Sequence, residues 1–149
     1  MKFSTLLTPN NTLCQVECAS KKSALEIISH LAAKKLSIDS QTLFNSLISR
    51  ERIGSTGIGL GVAIPHVKID KSLPATAIFL QFVDGIDFDA IDGKKVDILF
   101  AVFVPEDQCD KYLAALSDVS QQLLEKRFLR QLRCAKDSET LFSLLDVTQ

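Results

Sequence analysis

Apolar residues recur at helical spacing in two early stretches of the chain. From Ser20 or Ser23 onward, Ala24, Ile27, Ile28 and Leu31 fall on one face, and Ser23-x-x-Glu26 has the form of a capping box. Glu26, His30 and Lys34, spaced by four, share the opposite face, which makes His30 a solvated surface histidine rather than a ligand or base. Asp39 is a cap for a second helix whose Leu43, Phe44, Leu47 and Ile48 repeat at the same spacing, and that helix delivers Arg50. Ahead of both, residues 12–17 read as a short strand with Cys14 and Val16 as the candidates for its buried face.

The second half carries longer apolar runs. Residues 76–83 and 96–104 are rich in β-branched and aromatic side chains and read as central strands. Between them IDFDA alternates with period two, and Asp92-Gly93 is the dipeptide of a tight hairpin turn into Val96, so at least one antiparallel pair is expected. Pro105 closes the last strand and Glu106-Asp107 opens a helix with Leu113, Leu116, Val119 and Leu123 on its buried face. Shorter helices follow around residues 128–132 and 140–145, the latter capped by Ser138. The order of elements predicts an α/β domain with a mixed parallel and antiparallel central sheet flanked by helices.

The 149 residues fit one domain, 1–149, and folding at this length removes about 68 to 70% of the chain's surface from water. With 46% hydrophobic residues and a net charge of −1, the chain is neither disordered nor marked by a general nucleic-acid or membrane footprint, so local patches must choose its partners. MKFSTLLTPNN has too short an apolar run for a signal peptide, and no run approaches the roughly 20 residues of a membrane span, which predicts a cytoplasmic protein with no membrane insertion. Cys14, Cys18, Cys109 and Cys134 form no C-x-x-C pair and read as small apolar fillers in a reducing compartment. No metal is expected: His30 and His66 lie in separate elements without ligand-spaced partners, and Asp87, Asp89, Asp92 and Asp97 lack the EF-hand order and read as solvated faces.

Candidate chemistry gathers in residues 50–68, RERIGSTGIGLGVAIPHVK. Gly54, Gly57, Gly59 and Gly61 fall within eight residues, and such a loop can aim backbone N–H groups at an anion. It has neither dinucleotide-fingerprint nor Walker spacing, and a glycine cluster before a strand is more often than not only an irregular turn. Val62-Ala63-Ile64 is a short apolar run that Pro65 ends, so His66 is presented where a strand stops. Arg50, at the end of its helix, either bonds to the last carbonyls or forks two phosphate oxygens.

The segment GSTGIGLGVAIPH resembles the phosphoacceptor segment of the fructose, mannitol and nitrogen-regulatory IIA proteins of the bacterial phosphoenolpyruvate phosphotransferase system. KKSALEIISHLAAKKLSI, LISRERIGSTGIG, FDAIDGKKVDILFAVFVPEDQ and LRQLRCAKDSETLFSLL are similar to the nitrogen-regulatory branch, so the resemblance covers nearly the whole chain. It implies that His66 is the phosphoryl acceptor, with Nε2 the family's usual atom, and that Arg50 is the phosphate-stabilising arginine. The implied donor is a histidine-containing phosphocarrier protein (HPr or its nitrogen-type paralogue), the implied targets are regulated kinases or ion transporters, and no cofactor is involved. Two other readings stay open: a sugar-specific IIA passing phosphate to a separate IIB protein, and a binding module that has lost phosphotransfer. Aligning Leu-x-x-Leu-Ser of the helix after Pro105 puts Tyr112 where the family has a second histidine. The chain also departs from the family at Leu60, commonly polar, and at Val67, usually glycine.

Overall fold

The computed structural model describes residues 6–146, and the elements in chain order are β1 (Thr12–Val16), α1 (Lys21–Leu36), α2 (Ser40–Ile53), β2 (Gly57–Gly59), β3 (Val62–Ala63), β4 (His66–Ile69), β5 (Thr76–Ile86), β6 (Val96–Pro105), α3 (Cys109–Leu123), α4 (Lys126–Cys134) and α5 (Ser138–Asp146). The sheet runs β1-β5-β6-β3-β2, and β4 pairs with β6 beyond β3. β5 and β6 are antiparallel, while β1 on β5 and both β3 and β4 on β6 are parallel. This is the mixed sheet expected from the order of elements.

β5 and β6 are apolar almost throughout because helices cover both faces. Ile98, Phe100, Val102 and Val104 of β6 pack on one side with α3, α4 and α5, through residues such as Leu116, Leu123, Phe128 and Leu141. The alternate residues Leu99, Ala101 and Phe103 pack on the other side with α1 and α2, through Leu25, Ile28, Leu43 and Leu47. The chain is therefore a three-layer α/β/α structure with two cores.

Several local expectations are corrected. α1 is capped by Ser20, whose side chain accepts from the Ser23 N–H at 3.1 Å, so the Ser23-x-x-Glu26 box does not form. Its buried face runs through Ala24, Leu25, Ile28 and Ala32, with Ile27 and Leu31 on the margin. Cys14 and Val16 do not share a face: Gln15 has φ 52° and breaks the alternation, so Cys14 packs on the α3–α5 side while Leu13 and Val16 pack on the other. IDFDA is not a strand beyond Ile86, because β5 ends there and residues 87–95 form a longer connection in which Gly93 N–H turns back to Ala90 C=O at 2.9 Å. The antiparallel pair lies instead between β5 and β6. In α3 the buried residue of the first turn is Tyr112, and Leu113 is 47% exposed. Asp137, not Ser138, caps α5, accepting from the Thr140 N–H at 2.7 Å. The cap at Asp39 is as expected, accepting from Thr42 N–H at 3.0 Å.

Candidate functional site

The glycine segment is pinned at both ends by groups that lie far apart in the chain. At the end of α2, Glu51 turns inward and is buried. Its carboxylate accepts from the Thr56 N–H at 3.1 Å and from the Thr56 hydroxyl, and pairs with Lys21 Nζ at 2.7 Å. Lys21, at the start of α1, also sits 4.9 Å from the Phe88 ring centroid. Thr56 C=O in turn accepts from the Ile64 N–H at 2.9 Å, which ties the loop's first residues to the strand that precedes His66. Nothing local in the sequence marks Glu51 or Lys21, because thirty residues of chain separate them and they meet only where the end of α2 packs beside the start of α1.

The far side of the loop is held by Asp92, Asp97 and Arg133. Leu60 has φ 56°, a left-handed conformation that costs a branched side chain about 1 kcal/mol and that short polar residues tolerate better. Leu60 N–H donates to Asp92 Oδ2 at 2.9 Å, and its C=O accepts from Arg133 Nη2. The Leu60 and Lys94 N–H donors hold the Asp92 carboxyl below its ordinary range. At Gly61, φ 82°, an added Cβ would stand 2.5 Å from Arg133 Nη2 and 3.2 Å from Lys95 C=O, so this position requires glycine. Asp92 and Asp97, expected on solvated faces, are thus engaged with the protein.

Pro65 does interrupt a strand, but only briefly. β3 pairs with Ile98 and Leu99 of β6, and β4 resumes beside Val102 to Pro105, so His66 begins a strand rather than following the last one. The Pro65 C=O accepts from Val102 N–H at 2.9 Å and holds the junction against β6. His66 Nδ1 lies 2.8 Å from the Ile64 C=O. A carbonyl can only accept, so a neutral ring carries its proton on Nδ1 and leaves the lone pair on Nε2.

A cleft of about 750 Å³ brings His66, Val67 and Lys68 of β4 together with Arg50 and Ile53 of α2 and Cys109 and Leu113 of α3. Thr42, Asn45, Ser46 and Ser49 add a polar stripe from α2 at helical spacing, legible in the sequence as the face opposite Leu43 and Leu47. Arg50 Nη1 donates to the Gly54 C=O at 2.9 Å and so caps its own helix end, yet it stays partly exposed in the cleft. Tyr112 lies outside this lining. It is 9% exposed and packs in the α3–α5 core, while its neighbours Cys109 and Leu113 supply α3's contribution to the cleft. All four cysteines are free thiols, and burial pushes Cys14 above its ordinary range.

Residues 5–147 match the family model described as "Phosphoenolpyruvate-dependent sugar phosphotransferase system, EIIA 2". The chain belongs to this EIIA type 2 family. It is 47% identical over 146 residues to the "Nitrogen regulatory protein" of Klebsiella oxytoca, covering 97% of this chain and 90% of that protein. It is 45% identical over 150 residues to the protein of the same name in Escherichia coli K12, covering 100% and 92%. Its fold matches the crystal structure of the nitrogen regulatory protein IIA-Ntr from Neisseria meningitidis with a TM-score of 0.89 at 31% identity, covering 95% of this chain and 97% of that one. The likeness to nitrogen regulatory proteins supports a regulatory role of the phosphotransferase-system IIA kind. Among the described residues no helix is long and apolar enough to cross a membrane.

Proposed function

We propose that this chain is a cytoplasmic nitrogen-regulatory IIA protein that takes a phosphoryl group on His66 Nε2 from a histidine-containing phosphocarrier protein. Its phosphorylation state then regulates partner proteins such as kinases or ion transporters. The observation that carries this reading is the contact between His66 Nδ1 and the Ile64 carbonyl at 2.8 Å, in a cleft that His66 shares with Arg50. With Nδ1 holding the proton, the Nε2 lone pair forms the new P–N bond as the carrier's P–N bond breaks and its ring nitrogen recovers the electron pair. The Ile64 carbonyl stabilises the positive charge that the ring gains. Arg50 releases Gly54 C=O and forks two phosphoryl oxygens, so that transfer is a matter of positioning and charge rather than of any bound cofactor.

The resemblance would give Tyr112 the place of the family's second histidine, but its ring packs in the α3–α5 core outside the cleft, so Cys109 and Leu113 are the α3 side chains beside the acceptor. Ile53, 84% exposed, and Leu113, 47% exposed, rim the cleft and give a carrier protein an apolar seat around the acceptor. Incubation with phosphoenolpyruvate, enzyme I and the carrier, followed by intact mass under alkaline conditions, is expected to add one phosphoryl group. A His66→Ala protein should take none, and no addition to the unaltered protein would leave a module that acts by contact alone. Efficient onward transfer to a sugar-specific IIB protein would favour the sugar-transport reading over regulation.

A further inference from the structure

On the other side of the glycine segment from the acceptor cleft lies a second cavity of about 470 Å³, within the size range of small-molecule sites. Its walls are cationic. Lys94 and Lys95 approach from the connection before β6, and Lys126, Arg130 and Arg133 from one stripe of α4, against Asp97 as the one carboxylate in the lining among the described residues. Arg133 pairs with Asp97 at 2.9 Å and bonds to Leu60 C=O, which leaves its Nη1 without a protein partner among the described residues. The other four cations make no ion pair among the described residues.

Two carboxylates nearby, Asp92 and Glu125, already accept from backbone N–H groups at Leu60 and Lys94 and at Arg127 and Phe128. They feel Lys94 and Arg130 only at longer range, and cations still outnumber acids around the cavity. In a chain of net charge −1, that local excess is a charge segregation that the fold itself does not need. α4 is held by Phe128 and Leu132 on its opposite face, both buried in the core, while the buried Leu129 joins the cavity lining.

We propose that this cavity is a binding site for a linear phosphate chain, free or as the phosphate tail of a nucleotide. Cations facing each other from two segments match an anion that carries several charges along its length, and the Arg130 guanidinium is suited to two oxygens of one phosphate. Among the described residues no aromatic side chain lines the cavity, so recognition rests on the phosphates and not on stacking of a base. Leu60 and Gly61, which lead through β3 to His66, belong to the lining, so an occupant touches the segment that carries the acceptor.

The test is isothermal titration calorimetry of the full chain with tripolyphosphate, ATP, inorganic phosphate and a poly-glutamate peptide. Tripolyphosphate is expected to bind at one site, and a Lys126→Ala/Arg130→Ala protein should bind it about tenfold more weakly or worse. Lys94→Ala/Lys95→Ala gives an independent variant in exposed residues, and unchanged circular dichroism melting certifies both folds. A His66→Ala protein should bind as the unaltered one does. Comparable affinity for ATP and tripolyphosphate identifies the phosphate chain as what is recognised, and a large preference for either names its source. Absence of saturable binding would overturn the proposal. So would binding lost in His66→Ala or Arg50→Ala but kept in both lysine-containing double variants, or tighter binding of the acidic peptide, which would make the face a protein-docking surface.

Discussion

Replacing Glu51 by alanine removes the centre of the network that holds the acceptor loop to α1 and α2. The carboxylate has 5% side-chain exposure and Lys21 has 19%, so the pair is largely out of water. Its loss leaves the Thr56 N–H and hydroxyl without their acceptor and leaves the partly buried Lys21 ammonium with only the exposed Asp89 carboxylate, at 3.6 Å, which holds the cost toward the lower end of the range for a broken buried pair. Removing one partner of a buried pair costs about 3 to 5 kcal/mol, which already includes the unpaired charge left behind. For a chain of this size, each kcal/mol moves the melting temperature by about 2 to 4 °C, so a fall of about 6 to 20 °C is expected. Glu51→Gln keeps an oxygen for Thr56 and loses only the charge, so its cost should be smaller, about 1 to 3 kcal/mol. Lys21→Met, which retains the apolar stem against Phe88, should cost a similar amount, and the double variant should lose less than the sum of the two. Urea unfolding followed by circular dichroism measures all four proteins, and phosphotransfer half-times measured in parallel test whether the loop, and not only the fold, depends on the network. Additive costs for Lys21→Met and Glu51→Gln, or a Glu51→Ala protein within about 1 kcal/mol of the unaltered one, would refute the reasoning.

Arg50→Ala should slow phosphotransfer about 10- to 100-fold, the kinetic equivalent of losing a charge-assisted hydrogen bond of about 1.5 to 3 kcal/mol, with Arg50→Lys recovering part of it. Its melting temperature should barely move, because the bond it forfeits to Gly54 C=O is exposed. Tyr112→Phe, measured by the same kinetics, should leave transfer unchanged, because the ring packs in the α3–α5 core outside the cleft, and a several-fold slowing would show instead that its hydroxyl reaches the phosphoryl group. Backbone N–H and hydroxyl donors from Thr140 hold the Asp137 carboxyl below its ordinary range, so its stabilising contribution is present above about pH 4 and lost as pH falls through the depressed value. Asp137→Ala should therefore lower the melting temperature at neutral pH, with the difference from the unaltered protein fading in strong acid.

The long elements were legible because their chemistry is local. Residues 76–83 and 96–104 announce strands through continuous β-branched and aromatic runs, and both faces of the sheet are in fact covered. Asp39 caps its helix through a bond only three residues long. The failures trace to partners distant in sequence. Gln15 adopts a positive φ where the buried Gln81 side chain accepts its N–H at 2.9 Å while donating to Leu132 C=O and Ala135 C=O, a junction that no window around residue 15 contains. At the first turn of α3 the apolar pattern points to Leu113 where the structure buries Tyr112, because both are apolar enough for the inner face and the pattern alone does not choose between them. At the candidate site, His66 and Arg50 stood out through the glycine segment and the family likeness, whereas Glu51, Lys21 and Cys109 enter only through tertiary placement.

The central claim concerns one atom, and long-range proton–nitrogen correlation spectra of the imidazole rings, recorded before and after phosphorylation by the carrier system, test it directly. In the free protein at neutral pH, His66 should give a protonated Nδ1 and a bare Nε2, and after transfer the phosphoryl group should appear on His66 Nε2 while His30 stays unaltered. A free-protein ring with its proton on Nε2, or a phosphoryl group found on Nδ1 or on His30, would contradict the account.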